Sequence, residues 1–127
     1  MADATTPLYL ELPFPPSTNN LFVNGRRGRF VSPAYAAWKK EAGASIKQQI
    51  GDLAVSGPYA LQINFVRPSR RRMDLDNRVK AVIDLLAWMK VTDDDSELQS
   101  LRVRWVADGP ACWVAIRPCT RWGEPDA

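Results

Sequence analysis

Four arginines within six positions, Arg67, Arg70, Arg71 and Arg72, lead directly into two carboxylates set two apart, Asp74 and Asp76. Lys80 follows four residues after Asp76, and a second acidic cluster, Asp93-Asp94-Asp95, closes the stretch. Guanidinium groups grip phosphate through paired, charge-assisted hydrogen bonds. Clustered carboxylates repel phosphate unless a cation stands between them. Arginines beside acids therefore point to phosphodiester chemistry assisted by a metal. The arginines would track a nucleic-acid backbone, and Lys80 could hold a phosphate oxygen or orient an attacking water.

The residue types narrow the chemistry further. The chain has no histidine, which removes histidine general bases and histidine triads. Its two cysteines, Cys112 and Cys119, are too few for a four-ligand structural zinc site within one chain and read as small apolar packing residues. What remains around the arginines is hard oxygen, which suits Mg²⁺ or Mn²⁺. A cation there would lower the pKa of a bound water and offset charge on a phosphate under attack. Each element also has a plainer use. Asp76 and Lys80 at helical spacing make a surface ion pair of about a few tenths of a kcal/mol. Carboxylates are common at helix N-termini, and Asp93–Asp95 would serve as a solvated turn. Spacing alone leaves both readings open.

The 127-residue chain suffices for one domain with a core, and its charge is unevenly placed. Residues 1–72 hold ten Lys/Arg against four Asp/Glu, while residues 73–127 hold seven against ten. A basic half followed by an acidic one fits a polyanion held near a cation site. No apolar run nears the roughly 20 residues of a membrane helix. The first residues, Met1-Ala2-Asp3-Ala4, lack the basic start of a secretory signal, so the expected compartment is the cytoplasm.

The elements that must position this stretch follow from periodicity. Pro7–Leu12 alternates as a first strand, and the proline- and asparagine-rich run Pro13–Asn20 ends it. Leu21–Val23 and Arg29–Val31 flank a glycine-bearing tip and predict a short hairpin. Its arginines, Arg26, Arg27 and Arg29, could touch a nucleic-acid backbone or simply face water. Ser32-Pro33 opens a helix over 33–50, stopped by Gly51. Tyr59–Val66 alternates cleanly as a strand and delivers the chain into the arginines. From Asp74, a plausible N-cap, the period becomes helical to about 89, with Val79, Val82, Ile83 and Leu86 on one face. Leu98–Val106 and Ala111–Ile116 read as strands joined by an antiparallel hairpin turn at Ala107–Pro110, with a frayed tail from Pro118. The pattern predicts one small α/β (α+β) domain, a mixed sheet with two helices against it. Asp93–Asp95 can join Asp74 and Asp76 only if the chain turns back toward the helix start.

The run Arg70-Arg71-Arg72-Met73-Asp74-Leu75-Asp76-Asn77-Arg78-Val79-Lys80, then Asp84, then Asp94-Asp95-Ser96-Glu97-Leu98, resembles the signature of RusA-type Holliday junction resolvases. Leu12–Asn20 and Val31-Ser32-Pro33 resemble the family's opening segments, so the likeness covers about residues 8–117. It implies a RusA-like fold and a homodimeric, Mg²⁺-dependent endonuclease, with Mn²⁺ as a substitute, of the phage or prophage type. Such an enzyme nicks four-way DNA junctions symmetrically to leave 5′-phosphate and 3′-hydroxyl ends. Two symmetric nicks need two equivalent sites, as a twofold dimer supplies. Asp74, Asp76 and Asp95 match the family's catalytic, metal-binding carboxylates, and Lys80 its functional lysine. With three aspartates in the acidic run, Asp94 takes the ligand role if the match slips by one. The helix-to-acid connection, Ala87–Val91, lacks the glycine that the family often carries there. A DNA-structure-binding module without catalysis is the competing reading. A protein-interaction domain with a solvated acidic loop is a third.

Overall fold

A computed structural model describes residues 2–26 and 28–121. In chain order its elements are β1 (Ala2–Asp3), β2 (Leu8–Leu12), β3 (Phe22–Gly25), β4 (Gly28–Val31), α1 (Pro33–Ile50), β5 (Leu53–Ala54), β6 (Tyr59–Val66), α2 (Val79–Trp88), β7 (Leu98–Val106) and β8 (Cys112–Pro118). Single 3₁₀ turns stand at Thr18–Asn20, Asp76–Arg78 and Asp95–Glu97. Four strands make one mixed sheet in the order β2-β8-β6-β7. β8 is antiparallel to β2 and β6, whereas β6 and β7 are parallel.

Alternation decides which face of this sheet is covered. Tyr59, Leu61, Ile63 and Phe65 of β6 and Leu8, Leu10 and Leu12 of β2 are buried on one side. They meet Tyr35, Trp38, Ala42 and Ile46 of α1 and Val82, Leu85 and Leu86 of α2 in one core. At about 25 cal/mol per Å² of apolar surface, such a core is the main force holding the sheet to its helices. The small α+β domain read from the pattern is the one observed.

The edges of the elements follow local chemistry. Ser32 caps α1, its hydroxyl accepting from Tyr35 N–H at 3.1 Å and donating to Asn20 O at 2.6 Å. Gly51 closes α1 at φ +59°, a conformation that glycine adopts without strain. Gln49 covers the free edge of β2 by accepting from Glu11 N–H and donating to Glu11 O, both at 2.7 Å.

Three expectations need correction. The strands after the acids do not form a hairpin, because β6 lies between β7 and β8. The most apolar strand takes the centre, and β7, with Ser100, Leu101, Arg102 and Arg104 exposed, takes an edge. The helix after the arginines begins at Val79, not near 75, since Asp76–Arg78 forms a separate 3₁₀ turn. Asp74 therefore caps nothing; the residue preceding α2 is Arg78, without a side-chain cap bond. Pro118 ends β8, and Cys119 N–H donates to Pro58 O at 3.0 Å, so the chain stays in place past 118. The rest of the expected tail, from 122, lies outside the described residues.

Candidate active site

β6 carries the chain from Tyr59 to Val66 and hands it to the arginines. α2 then returns it, as the crossover between parallel β6 and β7 must. Seven strand rises, about 23 Å, separate the two ends of β6. Each end holds part of the predicted site.

At the far end, Arg67, Arg71, Arg72 and Arg78 line a hollow of about 620 Å³ together with Ser17, Met73, Asp74 and Asn77. Four arginines lining one hollow with a single carboxylate make a basin suited to phosphate. Arg70 is exposed outside its lining. The Pro13–Asn20 loop supports this basin from below. Thr18 Oγ1 donates to Asn77 O at 2.9 Å, and Arg78 Nη1 donates to Pro15 O at 3.0 Å. Trp38 Nε1, from α1, fixes the loop by donating to Pro13 O at 2.9 Å. The Arg67 guanidinium lies 4.4 Å from the centre of the Trp105 ring, and that of Arg78 lies 5.1 Å from Phe14. Partial burial lowers the pKa of Arg78 without removing its charge at neutral pH. Arg78 was given no role by sequence, although its place four residues after Asp74 put it on the same turn of chain.

Asp76 borders a different hollow, of about 400 Å³, with Leu75, Val79, Leu101 and Val103. The 3₁₀ turn accounts for its direction, because three residues per turn do not stack Asp76 over Lys80. Lys80 Nζ instead pairs with Asp84 at 3.1 Å, one α-helical turn further on, and both side chains are partly exposed. Asp76–Lys80 is thus not the pair that forms. Asp84 holds Lys80.

The three acids land at the other end, beside the start of β6. Their approach is built from backbone. Lys90 N–H donates to Ala87 O at 3.1 Å and Val91 N–H to Leu86 O at 2.9 Å, a Schellman closure of α2. Lys90 takes φ +61° there, the left-handed position usually given to glycine. Asp93 Oδ2 accepts from Gly57 N–H at 2.8 Å. Ser96 Oγ donates to Asp94 at 2.5 Å, and this bond is the first cause holding the Asp94 carboxyl below its usual range. Asp95 opens the 3₁₀ turn that leads into β7. The Tyr59 hydroxyl sits near enough to feel these charges. Burial raises its pKa most, Thr92 opposes that, and the charges of Asp95 and Asp94 raise it further.

Asp76 thus shares a hollow with Leu101 and Val103 of β7, and Asp95 lies three residues before Leu98, where that strand begins. Among the described residues, no group of three or more Asp, Glu, Cys or His is placed to hold a metal ion. The donor chemistry at both ends is carboxylate oxygen, which fits a hard cation that keeps waters and takes phosphate oxygens besides one or two carboxylates. Arg26 and Arg29 sit at the β3–β4 hairpin, where the Arg29 guanidinium lies 4.4 Å from the Phe22 ring centre. Arg27 lies outside the described residues. No described helix is long and apolar enough to cross a membrane.

A small α+β domain that sets an arginine basin and hard carboxylates along one crossover is built as a nuclease. Comparison with known proteins specifies which kind. The family described as Endodeoxyribonuclease RusA matches residues 13–117. The crossover junction endodeoxyribonuclease RusA of Escherichia coli K12 is 33% identical over 94 residues, covering 74% of this chain and 78% of its own. The enzyme of that name from Enterobacteria phage 82 is 32% identical over 95 residues, 75% of this chain and 79% of its own. The Shigella sonnei relative is 32% identical over 94 residues, covering 74% and 78%. The chain belongs to the RusA endodeoxyribonuclease family.

Proposed function

We propose that this protein is a Mg²⁺-dependent endonuclease that resolves four-way DNA junctions as a homodimer, by paired symmetric nicks, in the cytoplasm. The observation carrying this reading is the hollow that four arginines line together with Asp74, inside the family-matched region. Arg67, Arg71 and Arg72 hold the phosphates flanking the scissile bond, and Arg70 contacts the backbone outside the basin. The hairpin arginines Arg26, Arg27 and Arg29 contact an arm. Lys80 leaves its weak, exposed pair with Asp84 to grip a phosphate oxygen.

Asp74, Asp76 and Asp95 would hold the cation. Asp93 and Asp94 are engaged by Gly57 N–H and the Ser96 hydroxyl, which favours Asp95 over Asp94 as the third ligand. Bound Mg²⁺, or Mn²⁺ in its place, supplies a lowered water pKa and charge neutralisation at the phosphate. Because the described residues of one chain gather no group of three acids, Asp95 is assigned to the site containing Asp74 and Asp76 of the other subunit. Dimerisation then makes the two sites together and couples the two nicks.

The test is a labelled, immobile four-way junction incubated with and without Mg²⁺, read on native and denaturing gels. The wild-type protein is expected to bind in both conditions and nick only with Mg²⁺. Asp76→Asn is expected to bind yet lose about a thousandfold in nicking rate, on the scale of lost transition-state charge stabilisation. Undiminished nicking by Asp76→Asn overturns the site assignment. Binding without nicking by the wild type, with either Mg²⁺ or Mn²⁺, leaves a junction-binding module.

A further inference from the structure

The sheet face opposite the helices is unlike an ordinary solvated surface. Strand register places its side chains in rows. Glu11, Trp113, Asn64 and Arg104 form one row, and Tyr9, Ala115, Gln62 and Arg102 the next. Arg117 and Ser100 flank Ala60 in the third. Among the described residues no helix packs over these rows, and Tyr9 is 58% exposed. The Tyr9 and Trp113 rings stack with centroids 5.5 Å apart and 22° between their planes. They border a shallow hollow of about 340 Å³ that also reaches Gln62, Arg102 and Arg117.

Three features point to one kind of occupant. Among the described residues, Arg102, Arg104 and Arg117 share these rows with Glu11 as the one acid, and none of the three is in an ion pair. A surface with that charge repels a second copy of itself and attracts a polyanion. The exposed rings offer flat faces, which unpaired bases can stack upon and paired bases, buried in a duplex, cannot. From Tyr9 on β2 to Arg102 on β7 the face spans three interstrand spacings, about 14 Å. Four-stranded sheets with exposed aromatics hold two or three splayed bases in this way. Gln62 and Asn64 stand between rings and arginines with amide groups able to meet base edges. Arg104 Nε is already oriented by Asn64 Oδ1 at 3.1 Å.

We propose that this open face binds a short unpaired segment of single-stranded DNA, with bases on Tyr9 and Trp113 and phosphates on Arg102 and Arg117. The face is separate from the arginine basin, because the basin's support, Phe14 and Trp105, packs with Phe65 on the covered side. Only the choice of DNA over RNA rests on the nuclease reading. The face gives the protein a second hold on substrates whose strands have opened.

The test is fluorescence anisotropy with a labelled twelve-nucleotide oligothymidylate, without divalent metal. The double variant Arg102→Ala/Arg117→Ala is expected to weaken binding about tenfold and to lower the salt slope by about 1.4, at roughly 0.7 per phosphate contact. Trp113→Ala is expected to weaken it about tenfold at unchanged slope, the scale of one lost base stack. Because Trp113 is half-buried, photo-cross-linking of a 5-iodouracil oligonucleotide to the wild-type protein provides a second readout. Cross-links at Tyr9 or Trp113 support the proposal. Cross-links confined to residues 67–80, variant affinities equal to wild type, or tighter binding of oligouridylate overturn it. Junction nicking by the wild type is followed in parallel. Nicking without face cross-links removes this surface and leaves the nuclease reading standing, whereas face cross-links without nicking do the reverse.

Discussion

The two ends of β6 carry the arginines and the acidic run of the proposed site and are held in different ways. At the arginine end the contacts run from side chains to backbone or to rings: Thr18 to Asn77, Arg78 to Pro15, Arg67 over Trp105. At the acid end they run mainly through backbone. Val55 N–H donates to Val91 O at 2.8 Å, Val91 N–H to Leu86 O, and Gly57 N–H to the Asp93 carboxylate. Backbone bonds fix a position whatever the substrate does. Side-chain contacts can be exchanged for contacts to phosphate. The acid end is therefore the fixed reference and the arginine end the adaptable one, as suits arginines that follow a bent polyanion.

The largest effect on binding is expected at the adaptable end. Replacing Arg71 and Arg72 together by alanine should weaken junction binding about a hundredfold, at about 1.5 kcal/mol for each charge-assisted contact. The salt slope should fall by about 1.8, at roughly 0.9 per phosphate. Electrophoretic mobility shifts at two salt concentrations check both, and an unchanged slope would remove these arginines from the interface.

A middling effect comes from pH. Burial pushes the Cys112 thiol, opposite Phe65 at the arginine end, up from 9.0 to about 12. Burial likewise raises Tyr59 at the acid end. Both groups hold their proton more firmly in the folded chain. Their stabilisation is complete below the unfolded pKa and is lost as pH rises through the folded one. For Cys112 the decline begins near 9.0 and runs toward about 12, at up to about 1.4 kcal/mol per pH unit. Urea denaturation from pH 8 to 11 should show this fall, and Cys112→Ala should flatten it. Equal slopes for both proteins would contradict the account.

The smallest effect tests the fixed end. Lys90 holds a left-handed conformation at φ +61°, which costs a non-glycine residue roughly 1–2 kcal/mol. Lys90→Gly should therefore gain about 0.5–1 kcal/mol, after the entropy that glycine loses on folding. A measured loss of stability would show that the Lys90 side chain contributes more than its backbone conformation costs.

Much of this was legible in the sequence, and the failures share a cause. α1 and β6 were readable to the residue because a serine-proline start, a glycine stop and strict alternation are local signals. The β7–β8 turn was also a local signal, but nothing local reports that β6 lies between the two strands. Helical spacing predicted Asp76 over Lys80, and a 3₁₀ turn at Asp76–Arg78 redirected Asp76 so that Lys80 met Asp84. The missing glycine before the acids left the helix end uncertain. Lys90 takes the glycine's conformation, so α2 closes without it. The Arg78 position in the basin depends on Pro15 and Phe14, far away in sequence, and only the fold brings them together.

The central claim is that Asp76, after the arginines, and Asp95, before β7, contributed by two subunits, belong to one catalytic site. Mixing Asp76→Asn and Asp95→Asn proteins tests it directly. Alone, each variant should fail to nick a labelled junction. A mixed dimer would carry both substitutions in one site and neither in the other. The account therefore predicts that the mixture regains Mg²⁺-dependent nicking, on one strand per junction. A mixture that stays as inactive as its components, under conditions where the wild type nicks, would contradict it.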